Sequence, residues 1–459
     1  MTDRSTPSFF EFNPAVIPFQ KRLVYDLDYN VDWSLGTHEF LLSGSIGSAK
    51  SLLAAHLIIR HALEFKGAKI LIGRRALPDL KDTLFQKIIE HLECDQLVEN
   101  KHYWINHSQA YIELANGSII LGKSWADKKY RKFRSLELSM AVIEEAIESD
   151  GDDYQALVEI RQRLQRQPHI KKNMILYLTN PAGPSHPLYN YFIVEESKTR
   201  HVYYSLTRDN PFLPKTYVEQ LRKDLPPKEA ARMLDGQWIE IDRERVYYSY
   251  KSEFNFKKQD YIIQPHSPIR ICYDFNIGYG KPMSVALGQY IFAKDEWHFF
   301  DEVVIEGTRT EDTLEEMASR GIFEMPHEFI IHGDATGAAR SAASKYSNYE
   351  VIKQFLDNYK TKSGLKLNYK VLVPRSNPPI RERHIIVNGY CENSLGHRRL
   401  FVYQKAKTID EGLRLTALKK GADYLEDDSK SYQHITTALG YGVVYVSKNK
   451  VIVKGGNIG

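Results

Sequence analysis

The chain has 459 residues, 42% of them apolar and 26% charged, values that exclude a disordered or collagen-like protein. Sixty-two Lys and Arg face 58 Asp and Glu, a formal charge of +4, so any contact with nucleic acid must rest on local patches. Cys94, Cys272 and Cys391 are scattered and form no CxxC pair, which argues against a zinc ribbon or disulfide framework and fits a reducing compartment.

In chain order, Met1–Ser8 is polar and has no apolar core of a secretory signal. The greasiest stretch, Ser51–Phe65, is interrupted by His56, Arg60 and His61, so no membrane span is expected. Glu39–Ser43 reads as a strand, Ser51–Phe65 as a helix, Ala68–Gly73 as a strand and Leu80–Leu92 as a helix. Met140–Ile143 and Met174–Thr179 read as strands, with a helical pattern over Tyr154–Arg166 between them. Strands alternating with helices predict a mainly parallel sheet covered on both faces.

A boundary follows. Thr207–Pro227 carries Pro211, Pro214, Pro226 and Pro227, and Asp235–Trp238 and Val246–Tyr250 lead into a new pattern. Ile269–Phe275, Met283–Ile291 and Trp297–Ile305 read as strands. Their links are too short for crossover helices, so they should be antiparallel. Thr310–Phe323 reads as a helix and Glu328–Gly333 as a returning strand. That order matches the ribonuclease-H-like fold by topology.

Between the first strand and helix stands Gly44-Ser45-Ile46-Gly47-Ser48-Ala49-Lys50-Ser51. It fits the P-loop pattern GxxxxGK[ST] except at Ala49, where the pattern has Gly. Backbone N–H groups turned inward at a helix N-terminus would meet phosphate oxygens, Lys50 would reach the outer phosphates and Ser51 would hold Mg²⁺. The alternative is a Gly/Ser turn with an accidental Lys-Ser. Ala141-Val142-Ile143-Glu144-Glu145 supplies an acidic strand end, with Glu144 expected at the Mg²⁺ through water and Glu145 as the base for the attacking water. A helix start enriched in acids, continuing through Glu148, Asp150, Asp152 and Asp153, is the alternative. Lys123–Arg134 holds six cations in twelve residues, interleaved with Trp125, Tyr130 and Phe133. It reads either as a phosphate- and base-binding patch or as a solvated charged face.

Asp274 and Asp334 end two strands that the proposed topology makes neighbours. Carboxylates side by side repel unless a cation lies between them, as in two-metal phosphodiester cleavage. Candidates for further ligands are His434, the loop acids Asp427 and Asp428, and Asp301 and Glu302 on the third strand. Each also has an ordinary reading, as a turn former, a solvated loop acid or a packed histidine.

Taken together, these residues resemble the large terminase subunit of tailed double-stranded-DNA bacteriophages, from about Phe19 to Tyr445. Gly44, Lys50 and Ser51 are like that family's deviant Walker A loop, and Phe19-Gln20 is similar to its adenine-reading Gln motif. Phe133-Arg134-Ser135 resembles the segment bearing an arginine finger, and Leu178-Thr179-Asn180-Pro181 the coupling motif. Asn210–Pro214 and Leu234–Trp238 resemble the run into the nuclease domain, Tyr273–Asn276 and Gly333–Gly337 its nuclease strands, and His434–Tyr441 its last helix. That helix departs from the family: Thr437 stands where many relatives carry Asp.

The resemblance implies an α/β chain with a P-loop ATPase domain over residues 1–205, a linker over 206–265 and a ribonuclease-H-like nuclease domain over 266–459. It implies ATP held by Gln20, Gly44, Ser45, Gly47, Ser48, Ala49, Lys50, Ser51, Glu144, Thr179 and Asn180, with Glu145 and Arg134 catalytic. It implies Mg²⁺ or Mn²⁺ held by Asp274 and Asp334 with help from His434, Asp428 or Glu302. The expected role is a genome-packaging motor that moves double-stranded DNA into procapsids and cuts concatemers. The expected partners are a portal protein, a small terminase subunit and further copies in a ring, in the host cytoplasm and without a membrane. Rival expectations are a helicase-like translocase or a ribonuclease-H-like recombinase with one live centre, or a DNA-binding scaffold with none.

Overall fold

The computed structural model describes residues 13–149, 151–240, 245–276, 281–340, 346–419 and 424–454. Met1–Ser8, expected to lack a secretory core, and Asp150 of the acidic run lie outside the described residues. The chain divides into two compact units. The first is Met1–Val218 with Ala231–Glu240; the second is Glu219–Ala230 with Ile241–Gly459.

The first unit is built on β1 (His38–Gly44), β2 (Lys69–Arg74), β3 (Tyr103–Asn106), β4 (Tyr111–Leu114), β5 (Ile119–Ser124), β6 (Met140–Ile143), β7 (Met174–Thr179) and β8 (Arg200–Ser205). They form one sheet in the order β3-β4-β5-β2-β6-β7-β1-β8. From β5 to β8 every pairing is parallel, and β3 and β4 close one edge antiparallel. The central strands are uninterrupted apolar runs because helices cover both faces; β6 and β7 are buried at every residue. Alternation sends Phe40, Leu42, Ile70, Ile72 and Val142 to one core, and Leu41, Leu71, Ala141 and Ile143 to the other.

Helices α1 (Pro18–Tyr29), α2 (Lys50–Glu64), α3 (Leu77–Leu80) and α4 (Gln86–Cys94) bury Leu23, Leu53, Leu80 and Ile88 in the first core. Each such side chain contributes about 1.5–3 kcal/mol. A π-helical turn, Lys81–Phe85, joins α3 to α4, so the single helix expected over Leu80–Leu92 carries an irregularity. Helix α5 (Tyr154–Arg161) buries Leu157 and Ile160 in the second core. Short α6 (Pro187–Tyr189) precedes β8, and α7 (Tyr217–Asp224) and α8 (Pro227–Met233) lie where the chain passes between units.

In the second unit, α9 (Ser252–Asn255) leads into β9 (Phe256–Lys257), followed by β10 (Ile269–Asp274), β11 (Met283–Ile291), β12 (Glu296–Ile305), β13 (Phe329–His332), β14 (Tyr369–Val371) and β15 (Leu400–Tyr403). The sheet order is β14-β13-β10-β11-β12-β15-β9. β10, β11 and β12 run antiparallel, and β13 returns parallel to β10, the order read from the sequence. Helices α10 (Thr310–Ser319) and α11 (Asn348–Asn358) cover one face through Leu314 and Ile352. Helices α12 (Ile380–Cys391), α13 (Lys407–Leu415) and α14 (Tyr432–Lys454) cover the other through Val387, Leu413 and Leu439. Gly442 lets α14 lie directly on β10: a Cβ there would stand 2.4 Å from Cys272 Sγ. No described helix is long and apolar enough to cross a membrane.

Candidate functional site

In the first unit, β1 ends at Gly44 and α2 starts at Lys50, so the intervening loop sits at the carboxyl end of a central parallel strand. This is where open α/β sheets place their ligands. Gly47 and Ala49 turn the loop with φ of 71° and 64°. Ala49 thus adopts the left-handed conformation that the usual Gly tolerates without cost. Ala49→Gly is expected to change stability by no more than about 1 kcal/mol in denaturant melts, because relief of that strain is offset by the larger entropy of the unfolded chain.

The Lys50 ammonium is buried and nested in the loop. It donates to Gly44 O and Ser45 O, both at 2.9 Å, to Ser48 Oγ at 3.3 Å and to Asn180 Oδ1 at 3.0 Å. Burial pushes it down to about 8, while the nearby Glu145 carboxylate acts the other way. Asn180 follows β7, and the Thr179 hydroxyl donates to Asn180 O at 2.8 Å. Gln20 on α1 is buried, and its Nε2 donates to Ala49 O at 3.0 Å.

Glu144 and Glu145 follow β6. Ser51 Oγ stands 3.4 Å from Glu144 Oε1, and Thr83 Oγ1 donates to Glu144 Oε2 from the π-helical turn. Glu145 has φ of 45°, a second non-glycine left-handed residue at the site. Burial raises both carboxyls; the Thr83 hydroxyl and Arg74 oppose this at Glu144, and Lys50 and Arg74 at Glu145.

Three contributors escaped the sequence reading. Arg74, at the end of β2, forms a two-point ion pair with Glu148 at 2.8 and 3.2 Å and stands 3.9 Å from Glu144. Thr83 fixes Glu144. A hydroxyl shelf after β8 holds the loop: Ser205 Oγ lies 2.9 Å from Ser48 Oγ, Thr207 Oγ1 donates to Ser45 Oγ at 2.8 Å, and Asn210 Nδ2 donates to Gly47 O at 2.6 Å. An arginine at the end of an apolar strand was the one local signal available.

Arg134 is elsewhere. It is exposed and pairs with Glu159 at 2.9 Å, with no contact to the loop of its own chain among the described residues. The patch reading of Lys123–Arg134 is corrected as regards its rings. Trp125 and Phe133 are fully buried in the core and cannot meet bases, and Tyr130 Oη donates to Asp153 at 2.8 Å. Lys128 and Lys132 are paired with Asp152 and Asp127.

In the second unit, Cys272 of β10 is registered with His332 of β13, so Asp274 and Asp334 leave neighbouring strands at the same sheet end. Both are buried. Asp274 Oδ2 accepts from Asn276 Nδ2 at 2.6 Å and lies 3.0 Å from His434 Nδ1 on α14. Asp334 Oδ2 accepts from Phe275 N at 3.2 Å, while Oδ1 caps the following turn through Thr336 N and Gly337 N. Burial pushes the Asp274 carboxyl up and the Asp334 charge adds to this; His434 opposes it. His434 Nε2 is buried with no hydrogen-bond partner among the described residues.

The remaining acids are not gathered here. Glu302 is corrected: its two oxygens accept from Thr408 N at 2.7 Å and Ile409 N at 2.8 Å, capping α13. Asp428 is exposed and paired with Lys281 at 2.8 Å, and Asp427 holds its own turn through Ser429 N. Asp301 pairs with Arg320 at 3.1 Å. Among the described residues no three His, Cys, Asp or Glu side chains are gathered closely enough to hold a metal ion alone. Asp274 and Asp334, leaving neighbouring strands at one sheet end, fit a hard cation of the Mg²⁺ kind, which takes one or two carboxylates and fills its shell with water and phosphate oxygens.

Residues 37–231 match the family model described as phage terminase large subunit. The PBSX phage terminase large subunit of Bacillus subtilis (strain 168) is 31% identical over 217 residues, 42% of this chain and 47% of the relative. The chain thus spans about half the length of the curated relative it matches. Among solved structures, the large terminase of a thermophilic bacteriophage aligns over 94% of this chain and 99% of its own, at 13% identity and a TM-score of 0.62. The same terminase in complex with ADP aligns over 93% and 98%, also with a TM-score of 0.62. Both likenesses establish the two-unit fold.

Proposed function

We propose that this chain, whose residues 37–231 match the phage terminase large-subunit family model, is the ATP-driven motor that moves double-stranded DNA into procapsids and cuts it with a metal-dependent nuclease. The observation that carries this reading is the Lys50 ammonium held in its loop, facing the buried acids of β6, while a second buried acid pair stands in the other unit. The thermophilic phage's terminase has been solved with ADP and with ATP-γ-S; the same ligand class is proposed for the Lys50 loop.

Entering phosphates exchange for the carbonyl and hydroxyl partners of Lys50, and the loop N–H groups and ammonium then carry the anionic charge. Ser51 and Glu144 are the residues that would hold Mg²⁺. Glu145, raised by burial, is suited to take the proton of the attacking water. Thr179 and Asn180 would register the γ-phosphate, since the Asn180 amide contacts Lys50 directly. Arg134, exposed and away from its own loop, would act on the neighbouring copy in a ring. In the second unit, Asp274 and Asp334 would hold Mg²⁺ or Mn²⁺, with His434 fixing Asp274. The metal, when bound, supplies an activated water and charge neutralisation at the scissile phosphate. The partners of this reading are double-stranded DNA, a portal protein and a small terminase subunit, met in the host cytoplasm at the procapsid.

The reading is tested with supercoiled plasmid and Mn²⁺, with and without EDTA, alongside phosphate release from ATP. Nicking abolished by EDTA and DNA-dependent ATP turnover are expected; intact plasmid at every protein concentration refutes the cutting half. A pH dependence follows from Lys50. Its buried amine loses charge near pH 8, whereas a phosphate-bound amine is charged, so ADP affinity should fall as pH rises through that value. The slope approaches about tenfold per pH unit. Calorimetric titration of ADP across neutral to alkaline pH checks this, and a flat profile overturns it.

A further inference from the structure

Away from both centres, the second unit contains a cavity of about 280 Å³ lined by Tyr261, Gln264, Ile291, Lys294, His298 and Tyr403, with Asp260 at its edge. One wall is aromatic. Tyr261 stacks nearly parallel on His298, with ring centres 5.0 Å apart, and on Phe300 at 5.8 Å; Tyr403 tilts against Tyr261 at 4.8 Å. His298 is fixed from both sides, Nδ1 3.0 Å from Tyr403 Oη and Nε2 3.2 Å from Glu296.

The Tyr261 hydroxyl is buried and has no hydrogen-bond partner among the described residues. Lys294 stands exposed by the cavity. Lys257 reaches over Phe401 at 5.0 Å, and Phe401 in turn stacks on His298. Asp260 is already engaged by Gln404 at 3.0 Å and Lys405 at 3.8 Å, so its charge is compensated.

Strand register separates this cavity from the acid pair. Asp274 faces Ser284, whereas His298 faces Gln289, which also faces Ile269 at the start of β10. Five residues along β11 correspond to roughly 17 Å, so the cavity lies toward the opposite end of the sheet.

We propose that this cavity binds a single nucleotide, its base stacked on the Tyr261–Tyr403 wall and its phosphate met by Lys294. Stacked aromatic rings accept any base face and lysine accepts its phosphate, the two elements of sequence-tolerant single-strand recognition. A cavity of this volume falls just below the usual ~300–1,000 Å³ of small-ligand sites and holds one nucleotide unit, not a duplex. An extended peptide would need a long groove and would leave the lysine without an anion. The occupant is either a free nucleotide or the terminal unit of a DNA strand. The proposal goes beyond the motor and nuclease reading and does not rest on it.

The full-length chain is irradiated in EDTA with 5-iodo-2′-deoxyuridine 5′-monophosphate in one arm. The second arm uses a 5′-phosphorylated oligothymidylate carrying the same base at its 5′ end. Crosslinked peptides are mapped by mass spectrometry, which separates this cavity from the Lys50 loop and the acid pair whether or not either is active. Attachment at Tyr261, His298 or Tyr403 is expected. It should be lost in Tyr261→Leu and reduced about fivefold in Lys294→Ala, the loss of one exposed ionic contact. Lys294 is exposed, so its variant keeps the test open if Tyr261→Leu fails to fold. Labelling by the monomer identifies a free nucleotide site, and labelling by the oligonucleotide alone a strand-end site. No attachment at the cavity, or yields unchanged in both variants, overturns the proposal; the former result leaves a protein segment as the occupant.

Discussion

Lys50→Ala is expected to lower DNA-dependent ATP turnover by about 10²-fold or more while leaving Mn²⁺-dependent plasmid nicking unchanged. The ammonium reaches four acceptors from Gly44, Ser45, Ser48 and Asn180. Removing it deletes the positive charge that developing phosphate charge requires and cuts the link from the loop to β7. Folding should be little affected, because the lost hydrogen bonds are offset by no longer burying an ammonium. Phosphate release, ADP calorimetry and nicking on the same preparation separate these outcomes. Turnover within about threefold of the parent would remove Lys50 from catalysis.

Asp274→Asn is expected to abolish nicking and, in EDTA, to raise the melting temperature. The carboxyl of Asp274 is pushed up by burial, with the Asp334 charge adding to this. A carboxyl raised in the folded state gives its full stability contribution below its unfolded value and loses it as pH rises through the folded one. As pH rises and Asp274 ionises, its charge becomes a cost that an isosteric amide removes, while Asn keeps an acceptor for Asn276. On the proposed reading the parent should gain stability when Mn²⁺ is added and the variant should not, because only the parent would bind the cation through this side chain. Thermal melts across pH, with and without Mn²⁺, read both effects. A variant melting below the parent in EDTA at neutral pH contradicts the account, as does equal Mn²⁺ stabilisation of the two.

The parallel core of the first unit was legible because strands buried on both faces must be continuous apolar runs. Met140–Ile143 and Met174–Thr179 are such runs and became β6 and β7. β3, β4, β5 and β8 escaped because each is short or partly exposed, as in the burial of Tyr111–Leu114 and Ile119–Ser124. Their hydrophobic period is weak, and β8 supplies the hydroxyl shelf through residues far from the loop in sequence. The Asp274–Asp334 juxtaposition was readable from the ribonuclease-H-like strand order, in which the strand after the helix returns beside the first, as β13 does beside β10. Glu302 was misread because a carboxylate on a strand does not announce which helix start lies opposite it. Trp125 and Phe133 were misread for a related reason: lysines next to aromatic rings look alike whether the rings face water or the core.

The passage of the chain between units bears on how the gene is best dissected. Ile46 N donates to Met233 O at 2.8 Å and Trp238 Nε1 donates to Ser43 Oγ at 3.0 Å, so β1 and its loop are completed by residues that come after the excursion of Glu219–Ala230. An expression fragment stopping at residue 205 would leave β1 and the Gly44–Ser51 loop without Thr207, Asn210, Met233 and Trp238. A fragment carried through Glu240 retains them, at the cost of including twelve residues, Glu219–Ala230, whose native neighbours are missing. Recombinant halves cut at a single point are therefore poor proxies for the intact chain, and exchanging whole units between relatives requires three junctions, after Val218, Ala230 and Glu240.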